Sequence, residues 1–323
     1  ADAKLTIDGL TGHVLFPVAN QKISGSATST GSFGVIKQRY FNQNYGGVFN
    51  VNIGYNSGIS QTTGNYNTLV GYITGDSLTS GYGNVFVGSG VGDATEVGNN
   101  LTIVGNGAGK AVMTADAAGA VGVGAESLEA LTSGIGNTAV GYQTLEVEDD
   151  GDYNTAIGYQ VFNKQTGTSG LVANTGVGYR AGYHNNTGVK NTYIGYHSGL
   201  GVSSNANSSN TGVGYRSLFA VTTGGSNTAL GESAGSGVTT ASGSVIIGMD
   251  TGNTITTGNM NIAIGHDAMS GGTVTGDKNI AIGKSAGDAL TSGYKNIFMG
   301  LDAGGAATTA AGNIAIGNES FQS

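Results

Sequence analysis

The sequence predicts an all-β chain, folded as a parallel β-solenoid of about sixteen coils with 17 residues in most of them. Three observations predict this fold. A glycine recurs at a nearly constant spacing, branched aliphatic residues alternate in the positions before it, and Asn or Gly stands where the chain must turn. Glycine accounts for 61 of the 323 residues, well above the usual ~7%, so the glycines are expected at fixed structural places.

The repeat is clearest where "NTAVGYQTL" at residues 137–145 returns 17 residues later as "NTAIGYQVF" at residues 154–162. The glycine of this motif, Gly141 or Gly158, serves as the anchor of each unit and gives sixteen anchors along the chain. Eleven of the fifteen intervals between anchors are 17 residues, and the other four are one to three residues longer. A unit this short cannot bury its apolar side alone, so each is predicted to stack on the next as one coil.

The residues before each anchor predict a short strand. The preceding position is aliphatic or Met in all sixteen units, as at Val140 and Ile157, and the position three before the anchor is always Val, Thr or Ile. This alternation has the period of a strand. We expect the face formed by these two positions, which includes Thr138 and Ile264, to point inward. The position between them is mostly small or apolar, so the opposite face needs a neighbour.

Asn and Gly mark the predicted corners. Asn stands four residues before the anchor in thirteen units, as Asn137 and Asn154 do, and Gly stands seven before it in eleven. Both residues tolerate left-handed backbone angles, and Asn also bonds its own backbone at turns. Each unit is therefore predicted to be a strand, a corner, a short strand and a second corner. Coils stacked at ~4.8 Å would form a rod roughly 75 Å long.

The repeat divides the chain into two predicted domains, residues 1–46 and 47–323. The first has alternating apolar residues and then a Ser/Thr/Gly-rich stretch, so we expect a small β-rich cap or joining segment, with a disordered terminus as the alternative. No apolar run approaches the ~20 residues of a membrane span. The net charge is −8 and no Lys/Arg cluster occurs, so neither membrane insertion nor a nucleic-acid partner is expected.

The motifs "NTAIGYQ", "NIAIGHDAM" and "NIAIGKSAG" resemble the head repeats of YadA-like trimeric autotransporter adhesins. They are also similar to repeats of bacteriophage tail fibres and other virion appendages. The resemblance covers roughly residues 47–323 and implies a left-handed parallel β-roll with three chains associated side by side. The 17-residue coil is longer than that of the adhesin heads, and no coiled-coil stalk or membrane barrel follows it in the sequence, so we favour the virion appendage.

We therefore expect a non-enzymatic structural protein of the virion, a homotrimeric segment of a tail fibre or of a capsid or tail appendage. Its expected partners are other virion proteins and a host cell-surface glycan or protein. A secreted or surface-exposed bacterial adhesin head is the alternative. An ice-binding or hydrolytic solenoid is a third class. Ice binding would need a flat outward array of threonines, and the inward position expected for the threonines argues against it. Self-cleavage of a C-terminal chaperone after Ser323 is a further hypothesis.

Little in the sequence predicts catalysis. No cysteine is present, and the four histidines are dispersed along the chain at His13, His184, His197 and His266. The best metal candidate is the acidic run "EVEDDGD", because clustered carboxylate oxygens suit Ca²⁺. Its acidic residues are Glu146, Glu148, Asp149, Asp150 and Asp152. The run lacks the residue order of a dedicated calcium loop, and a solvated acidic corner is the alternative.

Tyrosine recurs directly after the anchor and suggests a binding surface. We predict one column of rings at Tyr142, Tyr159, Tyr179 and Tyr196, with Tyr215 two coils further on. Beside these tyrosines we expect the polar residues that follow them, Gln143, Gln160, Arg180, His197 and Arg216. Such a column could stack on the sugar rings of a cell-surface glycan; the alternative is that the rings cover the coil edge or a subunit seam.

Overall fold

The chain separates into two compact units, Ala1–Tyr40 and Phe41–Ser323. The computed structural model describes residues 6–7, 14–15, 47, 49–166, 169–202 and 205–322. In the first unit, β1 (Thr6–Ile7) pairs antiparallel with β2 (Val14–Leu15). The rest of the predicted joining segment, including its Ser/Thr/Gly-rich stretch, lies outside the described residues, and the domain boundary at residues 46 and 47 stays a prediction.

The second unit is built on one parallel sheet of sixteen strands. Fourteen of them end at the residue before an anchor glycine, and two, which end at Tyr159 and Tyr179, continue one residue past it. These strands are β3 (Val51–Ile53), β4 (Thr68–Val70), β5 (Val85–Val87), β6 (Thr102–Val104), β7 (Val121–Val123), β8 (Thr138–Val140), β10 (Thr155–Tyr159), β12 (Thr175–Tyr179), β13 (Thr192–Ile194), β14 (Thr211–Val213), β15 (Thr228–Leu230), β16 (Val245–Ile247), β17 (Ile262–Ile264), β18 (Ile280–Ile282), β19 (Ile297–Met299) and β20 (Ile314–Ile316). Equivalent residues of successive coils lie side by side, as Thr155 does with Thr138 and Thr175. The predicted parallel β-solenoid is confirmed.

The remainder of each coil consists mainly of turns. There β9 (Gly151–Asp152) and β11 (Gly170–Leu171) form a two-residue parallel pair, and three isolated bridges join other coils of the described part of the chain. The second short strand predicted for every unit is therefore wrong for most coils, because frequent left-handed residues turn the backbone. Backbone hydrogen bonds still link these segments, as from Leu145 N–H to Val161 O at 3.1 Å.

Every strand of the large sheet except β3 buries the residue two positions before the anchor. Ala139, Ala156 and Ala263 are fully buried there. The positions one and three before the anchor are instead half-buried or exposed, including those of Thr138 and Ile264. The predicted inward face is thus wrong. Both faces are apolar, so period two alone could not choose between them. Side-chain size does not choose either, because the buried position holds Ala139 in one coil and Phe86 or Tyr193 in others.

The core is filled by two positions of complementary size. When the buried strand residue is large, glycine stands four residues after the anchor: a Cβ at Gly304 would lie 2.6 Å from the ring of Phe298, and one at Gly199 2.3 Å from that of Tyr193. In six of the nine coils with a small strand residue, as at Ala139, the second position holds a large residue, here the fully buried Leu145; in the other three it is glycine, as at Gly235 beside Ala229. Several coils thus supply one large residue from either side of the interior.

The corner asparagines form a buried ladder along the solenoid. The Asn67 side-chain nitrogen donates to Gly81 O at 2.8 Å, and both the N–H and the side-chain nitrogen of Asn84 donate to Asn67 Oδ1 at 3.0 Å. The ladder satisfies the side-chain and backbone groups that each corner removes from water. It also fixes the register of each coil on the next.

Candidate functional site

The anchor glycines allow successive coils to approach closely. At Gly158 φ is +133°, and a Cβ would lie 2.0 Å from the carbonyl oxygen of Gly178 in the next coil. A side chain would clash there, and glycine adopts this positive φ without strain. In β10 the alternation then continues past the anchor, so that Thr155, Ile157 and Tyr159 point to one side while Ala156 is buried. The residue after the anchor therefore emerges on the outer surface of the sheet.

The tyrosines at this position form one continuous column on the surface. We call this set the tyrosine column: Tyr142, Tyr159, Tyr179, Tyr196 and Tyr215. Successive ring centroids lie 5.1–5.3 Å apart, with interplanar angles of 9–27°. Tyr215 stacks directly on Tyr196, so the predicted two-coil gap is wrong: the longer interval between their anchors is a loop insertion, not an extra coil.

Stacking changes what the tyrosine column can offer to a ligand. Each inner ring is covered on both faces by its neighbours, so a sugar cannot stack on it; the edges and hydroxyl groups face the solvent. Only Tyr142 and Tyr215 retain an outer face free of another column member. Glycan binding by these five residues stays a prediction, and the geometry directs it toward hydrogen bonds from the hydroxyl groups.

A row of polar side chains runs beside the column, two residues after each anchor. Gln143 Nε2 donates to Glu126 Oε2 at 2.6 Å, and Gln160 Nε2 donates to Gln143 Oε1 at 2.6 Å. Arg180 Nε then donates to Gln160 Oε1 at 2.8 Å. All members of this run have left-handed backbone angles, because the chain turns sharply after the anchor. The side chains therefore form one row along the solenoid, with one side chain from each coil.

Three basic side chains continue this row, and we call them the cationic row: Arg180, His197 and Arg216. The Arg180 guanidinium carbon lies 5.4 Å from the ring centroid of Tyr179, and that of Arg216 lies 4.1 Å from the centroid of Phe219. Burial, followed by the charges of Arg180 and Arg216, lowers the pKa of His197 below its ordinary value. His197 is therefore neutral between two fixed cations at neutral pH.

The acidic run does not converge on one point. Glu148 is fully buried, where one carboxylate oxygen accepts the Gly151 N–H at 2.8 Å and the other accepts from the Gln165 side chain. Burial raises the pKa of Glu148, although both hydrogen bonds lower it in part. Asp152 Oδ1 accepts the backbone N–H of Ile135 at 2.8 Å. Both of these carboxylates are therefore engaged by the protein itself.

The other acidic residues fall into two groups. Oxygens of Glu148, Asp149 and Asp150 lie within 4.8 Å of one another, whereas Glu146 groups with Glu126 and Glu129. Glu146 also accepts hydrogen bonds from the side chains of Gln143 and Asn163. Calcium binding at the run stays a prediction, and a site that uses all five residues is not assembled. A third group, Asp250 with His266 and Asp267, was not predicted, although the spacing of one coil could have indicated it.

Among the residues that the structure describes, the remaining sequence features add no convergent chemistry; His13 and Ser323 lie outside them. Val140 and Ile157 lie on the outward side of the sheet, and Asn137 and Asn154 belong to the buried ladder. In the part of the chain that the structure describes, no helix combines the length and hydropathy needed to cross a bilayer. Comparison of the chain with family models, curated proteins and solved structures finds no match.

Proposed function

We propose that this chain is a non-enzymatic structural protein, one of three that associate side by side in a tail fibre or another appendage of a virion. The observation that carries the proposal is the outward side of the sixteen-stranded sheet. There two columns, which we call the seam columns, comprise the residues one and three positions before every anchor. The first is aliphatic or Met in all sixteen coils, and the second is Val, Thr or Ile.

The seam columns leave apolar surface exposed in a single chain. Leu230 is 49% exposed, Ile157 40% and Ile194 39%. With ~4.8 Å between strands and ~7 Å between the two columns, the strip covers roughly 500 Å², near the upper end of the ~300–600 Å² usual for the largest patch of a monomer. A strip this long and narrow needs a partner with the same length and repeat, which a second copy of the chain has.

Three copies satisfy this requirement with closed symmetry. Narrow apolar strips that face a common three-fold axis bury one another along the whole rod and leave no strip uncovered. The resemblance of the motifs to trimeric adhesin heads and phage fibres agrees with this arrangement. A uniform rod of repeated coils serves as a spacer, and its outer surface remains available for contact with other virion proteins or with a host.

Three substitutions in the seam columns test the association. Ile157→Asp, Ile194→Asp and Leu230→Asp lie two coils apart from one another, so the new charges are ~10 Å apart within one chain. We expect the combined variant to sediment as a monomer with the far-UV spectrum of the wild type. A matched control places three aspartates at Ile59, Val112 and Val202, which are exposed outside the strands. The control should remain trimeric; a seam variant that keeps the wild-type mass would argue against this seam.

The virion assignment needs a different experiment. An antibody against residues 47–323, detected by immunogold electron microscopy in lysates and on cells of the source culture, should label projections of a phage tail or capsid. Label on the bacterial envelope would support the alternative, a surface-exposed adhesin head. Neither location of the label changes the result expected for the mass of the trimer.

Ice binding is a second candidate, favoured by the corrected orientation of the threonines. Six successive coils place Thr outward three positions before the anchor, at Thr138, Thr155, Thr175, Thr192, Thr211 and Thr228. The sequence argument against ice binding, that the threonines point inward, therefore no longer applies. The adjacent column is aliphatic, and Ile replaces Thr in β17–β20, so we favour the subunit seam. Growth of ice crystals at the normal rate in the presence of the protein would remove the candidate.

A further inference from the structure

The tyrosine column is local, whereas the seam columns run through every coil. The residue after the anchor is Tyr in five successive coils, from Tyr142 to Tyr215, and in one separate pair, Tyr55 and Tyr72, whose ring centroids lie 5.5 Å apart. The other nine coils have different residues there. A residue needed to cover the coil edge or a subunit seam would recur along the whole rod, so the run of five stacked tyrosines indicates a local role.

Four of these five coils, those of Tyr159, Tyr179, Tyr196 and Tyr215, lie in the longest stretch of the chain without an acidic residue, whereas the coil of Tyr142 contains the acidic run. No Asp or Glu occurs between Asp152 and Glu232, although the chain as a whole carries a net charge of −8. Arg180 and Arg216 lie in this stretch, and neither forms an ion pair with any described residue. Aromatic rings hold both guanidinium groups, but they supply neither the full negative charge nor the paired oxygens that a guanidinium binds best. A carboxylate supplies both.

The spacing along the column fits a polysaccharide. Ring centroids lie 5.1–5.3 Å apart, with one ring per coil. This distance is close to the advance per sugar in an extended β-1,4-linked pyranose chain, so each sugar can meet one tyrosine hydroxyl. The rigid stack also presents its hydroxyl groups without the loss of side-chain freedom that binding usually entails.

The cationic row sets a second spacing. Arg180 and Arg216 are two coils apart, or ~10 Å at the usual strand separation, with His197 between them. In a two-fold β-1,4-linked chain of uronate sugars, the carboxylates that face one side recur at every second sugar. Two successive carboxylates on that side therefore match the two arginines, while the intervening sugar faces His197.

We propose that the tyrosine column and the cationic row together bind an acidic polysaccharide, a β-1,4-linked uronate chain that lies along the rod with one sugar per coil. The hydroxyl groups of the column bind the sugar hydroxyls, and Arg180 and Arg216 each bind one carboxylate. The inference goes beyond the role of a fibre shaft. The column lies on the same side of the sheet as the seam columns, one position past the anchor, so the inference requires that the seam leave the tyrosine hydroxyl groups uncovered. It holds for a virion protein and for an adhesin head alike.

Nucleic acid fits the same surface less well. Single-stranded polynucleotides bind to aromatic platforms through base stacking on exposed ring faces, and the inner rings of the column have none. A polyanion bound only by charge would also be insensitive to the position of the cations. Both alternatives are outcomes of the following test.

The test measures binding of a mannuronate hexasaccharide to the full chain by calorimetry. The key variant is Arg180→Gln with Arg216→Gln, because Gln143 and Gln160 already occupy the equivalent position with the same left-handed backbone, at φ of 51° and 52°. The fold should therefore accept both substitutions. Each lost charge-assisted contact should weaken binding about tenfold or more. A second variant, with Phe at Tyr159, Tyr179 and Tyr196, keeps the stack but removes its hydroxyls, and it should also bind more weakly.

A control with the same change in net charge is Lys278→Gln with Lys295→Gln, outside the five coils. Its affinity for the hexasaccharide should equal that of the wild type. The proposal is overturned if the wild type does not bind the hexasaccharide, if the lysine control loses as much affinity as the arginine variant, or if a cellohexaose binds equally well. Tighter binding of a single-stranded oligonucleotide of equal charge would overturn it in favour of nucleic acid. The solution mass of each variant is measured in parallel, so a failure of trimer formation is recognised separately.

Discussion

Asn154 binds Asn137 of the preceding coil twice: its backbone N–H donates to Asn137 Oδ1 at 2.8 Å, and its side-chain nitrogen donates to the same oxygen at 3.0 Å. Asn154 Oδ1 in turn accepts the N–H of Asn174 at 3.0 Å. All three residues are fully buried. Each asparagine therefore completes the corner of one coil and positions the corner of the next.

Replacing Asn154 by Ala should break this ladder in its middle. The Asn174 N–H then loses its acceptor in a buried place, which costs about 1–3 kcal/mol. We expect a lower midpoint in denaturant-induced unfolding. Asn318→Ala, at an exposed position of the last coil, is the control and should leave the midpoint unchanged. Equal midpoints for the two variants would show that the ladder adds no stability.

Adjacent residues of one strand should respond oppositely to a charge. Ala263→Asp places a carboxylate in the core beside Ala281, which costs several kcal/mol (roughly 2–7) without a hydrogen-bond partner, so this variant should lose its far-UV spectrum on mild heating. Ile264→Asp lies in a seam column and should keep the coil folded while it weakens self-association. If Ile264→Asp unfolded as readily as Ala263→Asp, the orientation of the strands would be contradicted.

The complementary sizes in the core predict a compensating pair of substitutions. Gly304→Leu alone drives a side chain into the Phe298 ring, and Phe298→Ala alone leaves a cavity that costs about 3–5 kcal/mol. Together they reproduce the arrangement of Ala139 with Leu145. We expect the double variant to be more stable than the sum of the single effects predicts, as measured by a double-mutant cycle of unfolding free energies. Strict additivity would contradict the size rule.

The buried carboxylate of Glu148 should make stability depend on pH. Its pKa is raised in the folded chain above the ordinary 4.5, so protonation favours the folded state. Its stabilising effect is full below pH 4.5 and is lost as the pH rises through the folded-state pKa. The melting temperature of the wild type relative to Glu148→Gln should therefore fall between pH 4.5 and neutrality. Glu319→Gln, at an exposed position, should give a curve parallel to the wild type; a parallel curve for Glu148→Gln would contradict the prediction.

The period of the repeat was sufficient to predict the coils, the strands and the tyrosine column, because stacking puts equivalent residues side by side. It could not identify the inward face, since Ala263 and Ile264 are both apolar and the buried position holds residues as small as Ala263 and as large as Phe298. The sequence could not predict the burial of Glu148, because it shows only a run of five acidic residues. In the fold, Glu148 occupies the buried position that Leu131 and Val221 occupy in other coils.

The sequence also placed the residues of the cationic row beside the tyrosines, but it did not predict their contacts. Gln160 and Arg180 are 20 residues apart, and only the stacking of their coils brings the Arg180 Nε within 2.8 Å of the Gln160 oxygen. The absence of acidic residues between Asp152 and Glu232 was visible in the sequence and could have drawn attention to these coils. The net charge of the whole chain, −8, does not reveal this local absence of acidic residues.

The most direct test of the proposed function is the mass of the protein in solution. Sedimentation equilibrium at low concentration should give about 96 kDa, three times the 32.0 kDa of one chain, because the apolar seam columns are covered only when copies associate. The mass should stay constant on further dilution over the working range. A mass of 32.0 kDa under these conditions would contradict the central claim that the seam columns join three chains into one rod.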